Sequence, residues 1–568
     1  MARRLVSLTQ ARRGFGFIDM QPDGSVQLNP DVGALSVGGS LAIEGPRPFL
    51  DLVAWGLDPT GTDDISTGIL DALASAPSNG VRMKLPEGTY LLAPSSAAIS
   101  LISNLILEGD GDATTIVLGS AYAGFIGTST TGLVLRRLRI ISSLSSSSVN
   151  GSFFAQGATR LSIEDCRFEG GSQQINLNNC SKFRVIRTSH GAPSIANGQP
   201  INLYQCTDGT VTNPQFDSYV QPVGTTQVGV VQVLNCDKVI VDSPVVDGID
   251  MSTVPSGFIV GITNSTRCKV VTPSISNTYG ADAILVQNSS SDISVVDPTC
   301  VSNGQTGGAG TNSQTGDGID IFNSTRVRIT NPILRNNGAN GHHGMEINSS
   351  SDVTVIGGDS SYAGQAGVNV AGSQDVTIDS MTINHNQQNG ILVQPFNSVD
   401  STNVKIIAPD ITDNNQAIGS TVGITEGIYW SGAATGQVIG GRITDDQATK
   451  TQTYGIRIEN TASIVATGVS VVGNATGSIL DDVGASNIRN CDGYNPVGPS
   501  TVVVGPSPWT YTQRSSPATL YLNGGTVSSI VKDTITLATA TPAAIPLEPG
   551  QAVVVTYSVA PTAAVDVQ

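Results

Sequence analysis

Five side chains carry the strongest signal for chemistry: Asp282, Asp317, Asp320, His343 and Glu346. Asp320 and Glu346 hold the same place in two similar stretches, Gly318-Ile319-Asp320-Ile321 and Gly344-Met345-Glu346-Ile347. If these stretches are stacked strands, the two carboxyl groups lie side by side. Asp282, Asp317 and His343 each precede an equivalent triplet by two residues and are expected on the same outward face. Like charges held this close push at least one pKa upward. A protonated carboxyl beside an ionised one is the pair that glycosidic cleavage requires. One donates a proton to the leaving oxygen while the other activates water or attacks. Asp317, Asp320 and Glu346 are therefore the candidate acid and base, with Asp282 and His343 assisting.

Around them stand candidate substrate contacts. Tyr279 and Tyr429 offer aromatic faces on which sugar C–H groups can lie. Tyr454 is a further such face, whereas Trp430 holds an inward position and is expected in the core. His342 and Asn369 adjoin the cluster, and Arg457 could meet an acidic sugar. Asp247 and Asp250 repeat the Asp-Gly-Ile-Asp sequence of 317–320 out of register and are read as structural. There is no His-Glu-x-x-His, zinc-spaced cysteine pair or EF-hand loop, so no metal or other cofactor is expected.

The elements that must position these residues come from a repeat. Gly-apolar-x-apolar recurs at Gly318, Gly344, Gly367, Gly390, Gly427 and Gly455, in steps of 26, 23, 23, 37 and 28 residues. Earlier copies keep the triplet without the glycine: Ile175-Asn176-Leu177, Ile201-Asn202-Leu203, Val231-Gln232-Val233 and Ile284-Leu285-Val286. Such alternation marks half-buried strands. Strands this short, joined by Asn/Ser/Gly turns, bury a face only by stacking on their copies one coil later. The expected fold is all-β, a parallel β-helix over residues 47–490. A Gly-rich segment, 1–46, precedes it. A small C-terminal antiparallel β-sandwich, 491–568, follows, where apolar runs alternate with Pro/Gly turns.

The bulk properties agree. The chain has 64 glycines in 568 residues and only 13% charged residues, a composition of turns and β-branched strands rather than of helix or disorder. A net charge of −17 argues against nucleic-acid or anionic-lipid partners. No apolar run is long enough to suggest membrane insertion, and the basic start Met1-Ala2-Arg3-Arg4 is not followed by a signal-peptide core. Seven cysteines argue against a complete disulfide framework. Cys180, Cys206 and Cys236 each fall five residues after a triplet start, as a buried column of small side chains.

The segment from Leu52-Val53-Ala54-Trp55-Gly56 through Gly61-Thr62-Asp63-Asp64 runs into a helix over 65–76, with Asp64 as its N-cap. Leu85-Pro86-Glu87-Gly88-Thr89-Tyr90 follows. This series resembles the opening of the pectate-lyase-like right-handed β-helix superfamily. The Asp-x-x-Asp of 317–320, with a third carboxylate one coil on, resembles the sites of O-antigen-cleaving phage tailspikes. It partly resembles polygalacturonases, from which Gly341-His342-His343-Gly344 departs by one extra residue. The resemblance implies a homotrimer on the virion, joined to the phage tail or baseplate by its N-terminus and acting on a bacterial surface polysaccharide. It leaves three readings open: a hydrolase, a lyase on the same scaffold, and a spike that binds the glycan without cutting it.

Overall fold

The computed structural model describes residues 18–20, 26–28 and 49–567. Within the last span, residues 123, 143–150, 195–197, 223–226, 253–255, 305–315, 339–340, 417–424, 460, 483, 485, 493, 495–498 and 515–516 are excepted. Residues 1–48 form one unit and 49–568 another. In the first, Ile18–Met20 pairs antiparallel with Val26–Leu28. The rest of the proposed attachment segment, 1–46, lies outside the described residues.

The second unit is dominated by stacked coils. One face is a 15-stranded parallel sheet that begins at Ile99–Ser100 and ends at Gly477–Asp481. The other two faces share strands that turn the corner between them. Leu105–Leu118, for example, pairs with both Val81–Lys84 and Gly88–Leu92. The triplets all lie in the 15-stranded sheet and pair in register: Ile284 with Ile319, Ile319 with Met345, Met345 with Val368. Their first and third residues are buried, and Trp430 takes its place in the column of Val286, Ile321, Ile347, Val370, Val393 and Ile458. This inward stripe is the apolar surface that only stacking can bury.

The leading glycine has a cause that lies on a different part of the coil. Buried amides line the corner in front of the sheet: Asn303 Nδ2 donates to Asn337 Oδ1 at 3.0 Å, and Asn386 to Asn414 at 2.9 Å. A Cβ on Gly318 would lie 2.7 Å from Asn337 Nδ2, and one on Gly390 3.0 Å from Asn414 Nδ2. Each would also come within 2.6 Å of the next coil's carbonyl oxygen. The motif thus records a close approach of two ladders.

A second ladder continues the cysteine column. All seven cysteines are free and buried. Cys206 N–H donates to Cys236 Sγ at 3.3 Å, and Cys236 N–H to Ser265 Oγ at 2.9 Å. Ser350 and Ser373 extend the pattern, with Ser324 N–H and Ser350 N–H as the donors. His190 is buried between Phe168 and Phe216, stacked at 5.7 and 4.9 Å. Burial depresses its pKa to about 3, so it packs as a neutral ring.

At the first coil, the helix is Ser66–Ala74 and its N-cap is Ile65, not Asp64 as expected. Asp64 still serves the helix start, because its Oδ1 accepts the Ser66 N–H at 3.0 Å and also ties down Ala93 N–H at 2.8 Å. Ile69, Ala72 and Leu73 join the coil core. At the C-terminus, two four-stranded antiparallel sheets enclose a separate core of Trp509, Leu520, Ile530, Ile545 and Val555. Among the described residues, no helix is long and apolar enough to cross a membrane.

Candidate active site

Asp320 and Glu346 are direct partners on neighbouring strands, with Leu285 before them and Asn369 after. Their backbones are therefore about 4.8 Å apart. Both side chains point away from the core and keep partial exposure. Glu346 Oε1 accepts from Asn369 Nδ2 at 3.1 Å, and Asn369 Oδ1 accepts from Gln394 at 3.1 Å. A line of amides thus orients one carboxylate. Oδ1 of Asp320 is shielded from solvent and has no hydrogen-bond partner among the described residues.

The expectation that Asp282, Asp317 and His343 face outward needs correction. All three are buried. Asp317 is three residues from Asp320, an odd step, so a regular strand would put them on opposite faces. The bend at Gly318, ahead of strand Ile319–Phe322, turns Asp317 into the corner instead. There the three residues build rungs. Asp282 Oδ1 accepts the N–H groups of Gly316 and Asp317 at 2.7 and 2.9 Å. Asp317 Oδ1 accepts His343 N–H at 2.5 Å, and His343 Nδ1 accepts Ala366 N–H at 3.2 Å. Each side chain thus holds the next coil's backbone. His342 stands 3.9 Å from Asp317 through Nδ1.

The rungs still bring the acids into electrostatic contact. Burial pushes Asp282 up to about 7, the N–H groups of Gly316 and Asp317 oppose the shift, and the Glu346 charge adds to it. Burial raises Asp317 well above the carboxylate range, followed by the charges of Glu346, Asp282 and Asp320. Asp320 is raised by burial, then by Asp282 and Glu346. Burial also raises Glu346, against hydrogen bonds from Asn369, Asn348 and Asp317. Burial lowers both histidines, His343 to about 3, so both are neutral at pH 7 and supply no counter-charge. The sequence suggested one raised and one ordinary carboxyl. Instead all four are raised, and they release protons as a group. Between release steps the cluster holds a protonated and an ionised carboxyl together.

This proton retention has a stability consequence. A buried acid with a raised folded pKa binds more protons folded than unfolded, so its stabilising effect is complete at low pH and lost as pH rises through the folded value. Asp317→Asn keeps the acceptor for His343 N–H and removes the charge. We expect it to raise stability at pH 8 by about 0.5–2 kcal/mol, with a smaller gain at pH 4, measured by denaturant unfolding.

The outlying candidates fall elsewhere. Tyr279 is half-buried, and its backbone bridges to Asp250. Asp247, the exposed last residue of strand Val245–Asp247, accepts from Ser276 and Asn277. Tyr429 is outward and half-buried, with its hydroxyl bonded to Glu459 and the Arg457 guanidinium 5.9 Å from its ring centre. Arg457 pairs with fully buried Glu426 at 3.3 Å, with Glu459, and with Asp482 at 3.8 Å. Its charge is already shared among three carboxylates. Glu426, which holds this arrangement, precedes its triplet by two residues, the same offset as Asp282, Asp317 and His343, so that signal could have found it.

Residues 256–425, which include the whole cluster, match the family model described as "Right handed beta helix region". The coils form a right-handed parallel β-helix. No curated protein sequence matches the chain. Among solved structures, this β-helix is similar to a tailspike protein of E. coli bacteriophage HK620 in complex with a pentasaccharide. Identity is 13%, coverage 96% of each chain and TM-score 0.48. Tailspike protein 3 of bacteriophage CBA120 is 13% identical over 83% of this chain and 65% of its own, with a TM-score of 0.40. An α-1,3-glucanase of Streptomyces thermodiastaticus is 16% identical over 66% of this chain and 70% of its own, with a TM-score of 0.42.

Proposed function

We propose that the protein is a phage tailspike that binds and hydrolyses a bacterial surface polysaccharide, O-antigen or capsule. The observation that carries the reading is the in-register pairing of Asp320 and Glu346 beside buried Asp317, in a group of acids that all retain protons. Such a group is costly to bury, and acid-assisted glycosidic cleavage uses what it supplies. Asp320, with its unpartnered oxygen, is the proton donor in this reading. Glu346, oriented by Asn369, is the carboxylate that activates water or attacks. Asp317 passes its charge state to both, and Asp282 and His343 hold the coil backbone that positions them. The two C-terminal sheets serve assembly of a homotrimer, and the N-terminal segment serves attachment to the tail.

The pH dependence tests the assignment. A proton donor with a raised pKa is lost as pH rises, so the cleavage rate falls on the alkaline side. Asp282→Asn keeps the acceptor for Gly316 and Asp317 and removes a charge that raises Asp317 and Asp320. We expect the alkaline limb to move down by roughly one pH unit, with the rate at pH 5 unchanged. An unmoved limb separates the cluster from catalysis.

A further inference from the structure

In six consecutive coils, the turn that leaves the third strand begins with a residue in left-handed conformation. Its occupants are Asn277, Ser302, Asn336, Tyr362, His385 and Asp413, with φ of 54, 56, 53, 58, 53 and 56°. Asn, Asp and Ser suit such turns because they are short and bond locally. A tyrosine there is a costly choice, since a bulky side chain crowds its own backbone at positive φ. The core does not explain it, because Tyr362 is 53% exposed. Instead its ring stacks on His385 one coil later, with centroids 5.1 Å apart and planes at 22°. His385 Nδ1 bonds Asn384 Oδ1 at 3.0 Å, and its Nε2 stands 3.9 Å from Asp413 Oδ2. One face of the tyrosine is thus fixed against a positioned ring, and the remainder meets solvent.

The same turn reaches the acid cluster. At its far end, Gln365 N–H donates to His342 O at 2.8 Å and Ala366 N–H to His343 Nδ1 at 3.2 Å. Tyr362 is four residues from Ala366, at most about 14 Å along the chain. Asn369, which bonds Glu346, is seven residues from Tyr362, at most about 25 Å along the chain, a span that an oligosaccharide bound at Asp320 and Glu346 can cover. A flat, pre-set aromatic face at the end of such a chain suits the C–H face of a pyranose ring.

We propose that Tyr362, backed by His385, is a stacking platform for a sugar residue remote from the cleaved bond. The inference rests on the glycan-cleaving reading above and adds a binding residue to it. The test uses an array of purified bacterial O-antigen and capsular oligosaccharides, probed with the full-length Glu346→Gln protein and with Glu346→Gln/Tyr362→Asn. Asparagine is the residue that two other coils use at this turn, Asn277 and Asn336, so folding is preserved or improved, and unfolding curves verify this. We expect at least tenfold weaker binding for the double variant, with Glu346→Gln/Tyr362→Phe binding like its parent. Equal binding by the Asn variant on a glycan that the parent retains overturns the platform and leaves the function standing. No retention of any glycan by the parent counts against the function itself, and the platform falls with it.

Discussion

Glu346→Gln is expected to lower the rate of polysaccharide cleavage by about 10³–10⁴-fold or more while leaving glycan binding intact. Glutamine retains the shape of the side chain and its carbonyl can still accept from Asn369 Nδ2, so the amide line through Gln394 survives. What it loses is the negative charge beside Asp320. Removing that charge also relaxes Asp317 and Asp320, both raised in part by Glu346. The variant should therefore be at least as stable as the parent, and a loss of activity cannot be assigned to unfolding. Paired measurements of reducing-end release and thermal unfolding check this. Full activity in a stable variant removes Glu346 from the mechanism.

Arg457→Ala is expected to cost about 3 kcal/mol of stability, the lower end for breaking a buried pair. Glu426 is completely buried and would be left without its cation, while Glu459 and Asp482 would face it as like charges. The amide and hydroxyl of Thr425, which also bond Glu426, moderate the loss. Denaturant unfolding is the measurement. If Arg457 instead served chiefly as a contact for an acidic sugar, the alanine variant would keep its stability and lose affinity. The two outcomes separate a clamp within the coils from a ligand contact.

Much of this arrangement was legible because a β-helix allows few choices. Triplet alternation fixes which residues enter the core, and stacking fixes which ones become neighbours, so the Asp320–Glu346 pairing followed from spacing alone. Corners were less legible. Asp317 appeared to share the face of Asp320, yet an odd step and the bend at Gly318 bury it and turn it to the backbone of the next coil. The five-residue offset that marks Cys180, Cys206 and Cys236 also finds Ser265, Ser324, Ser350 and Ser373, so that ladder could have been followed further. The reason for the leading glycines could not, because the amides they approach come from another part of the coil. Tyr362 and His385 escaped notice for a related reason. They are 23 residues apart in turns with no apolar pattern, and only stacking makes them neighbours.

The most direct measurement is digestion of a panel of purified bacterial surface polysaccharides by the intact protein, with Glu346→Gln in parallel. Molecular size, reducing ends and near-ultraviolet absorbance are followed together. Loss of size with new reducing ends and no absorbance is expected for the parent on at least one polysaccharide, and neither loss of size nor new reducing ends for the variant. Size loss with absorbance would mean elimination by a lyase. Binding without size loss on the host's own polysaccharide would contradict the account, leaving the carboxylates a role in recognition.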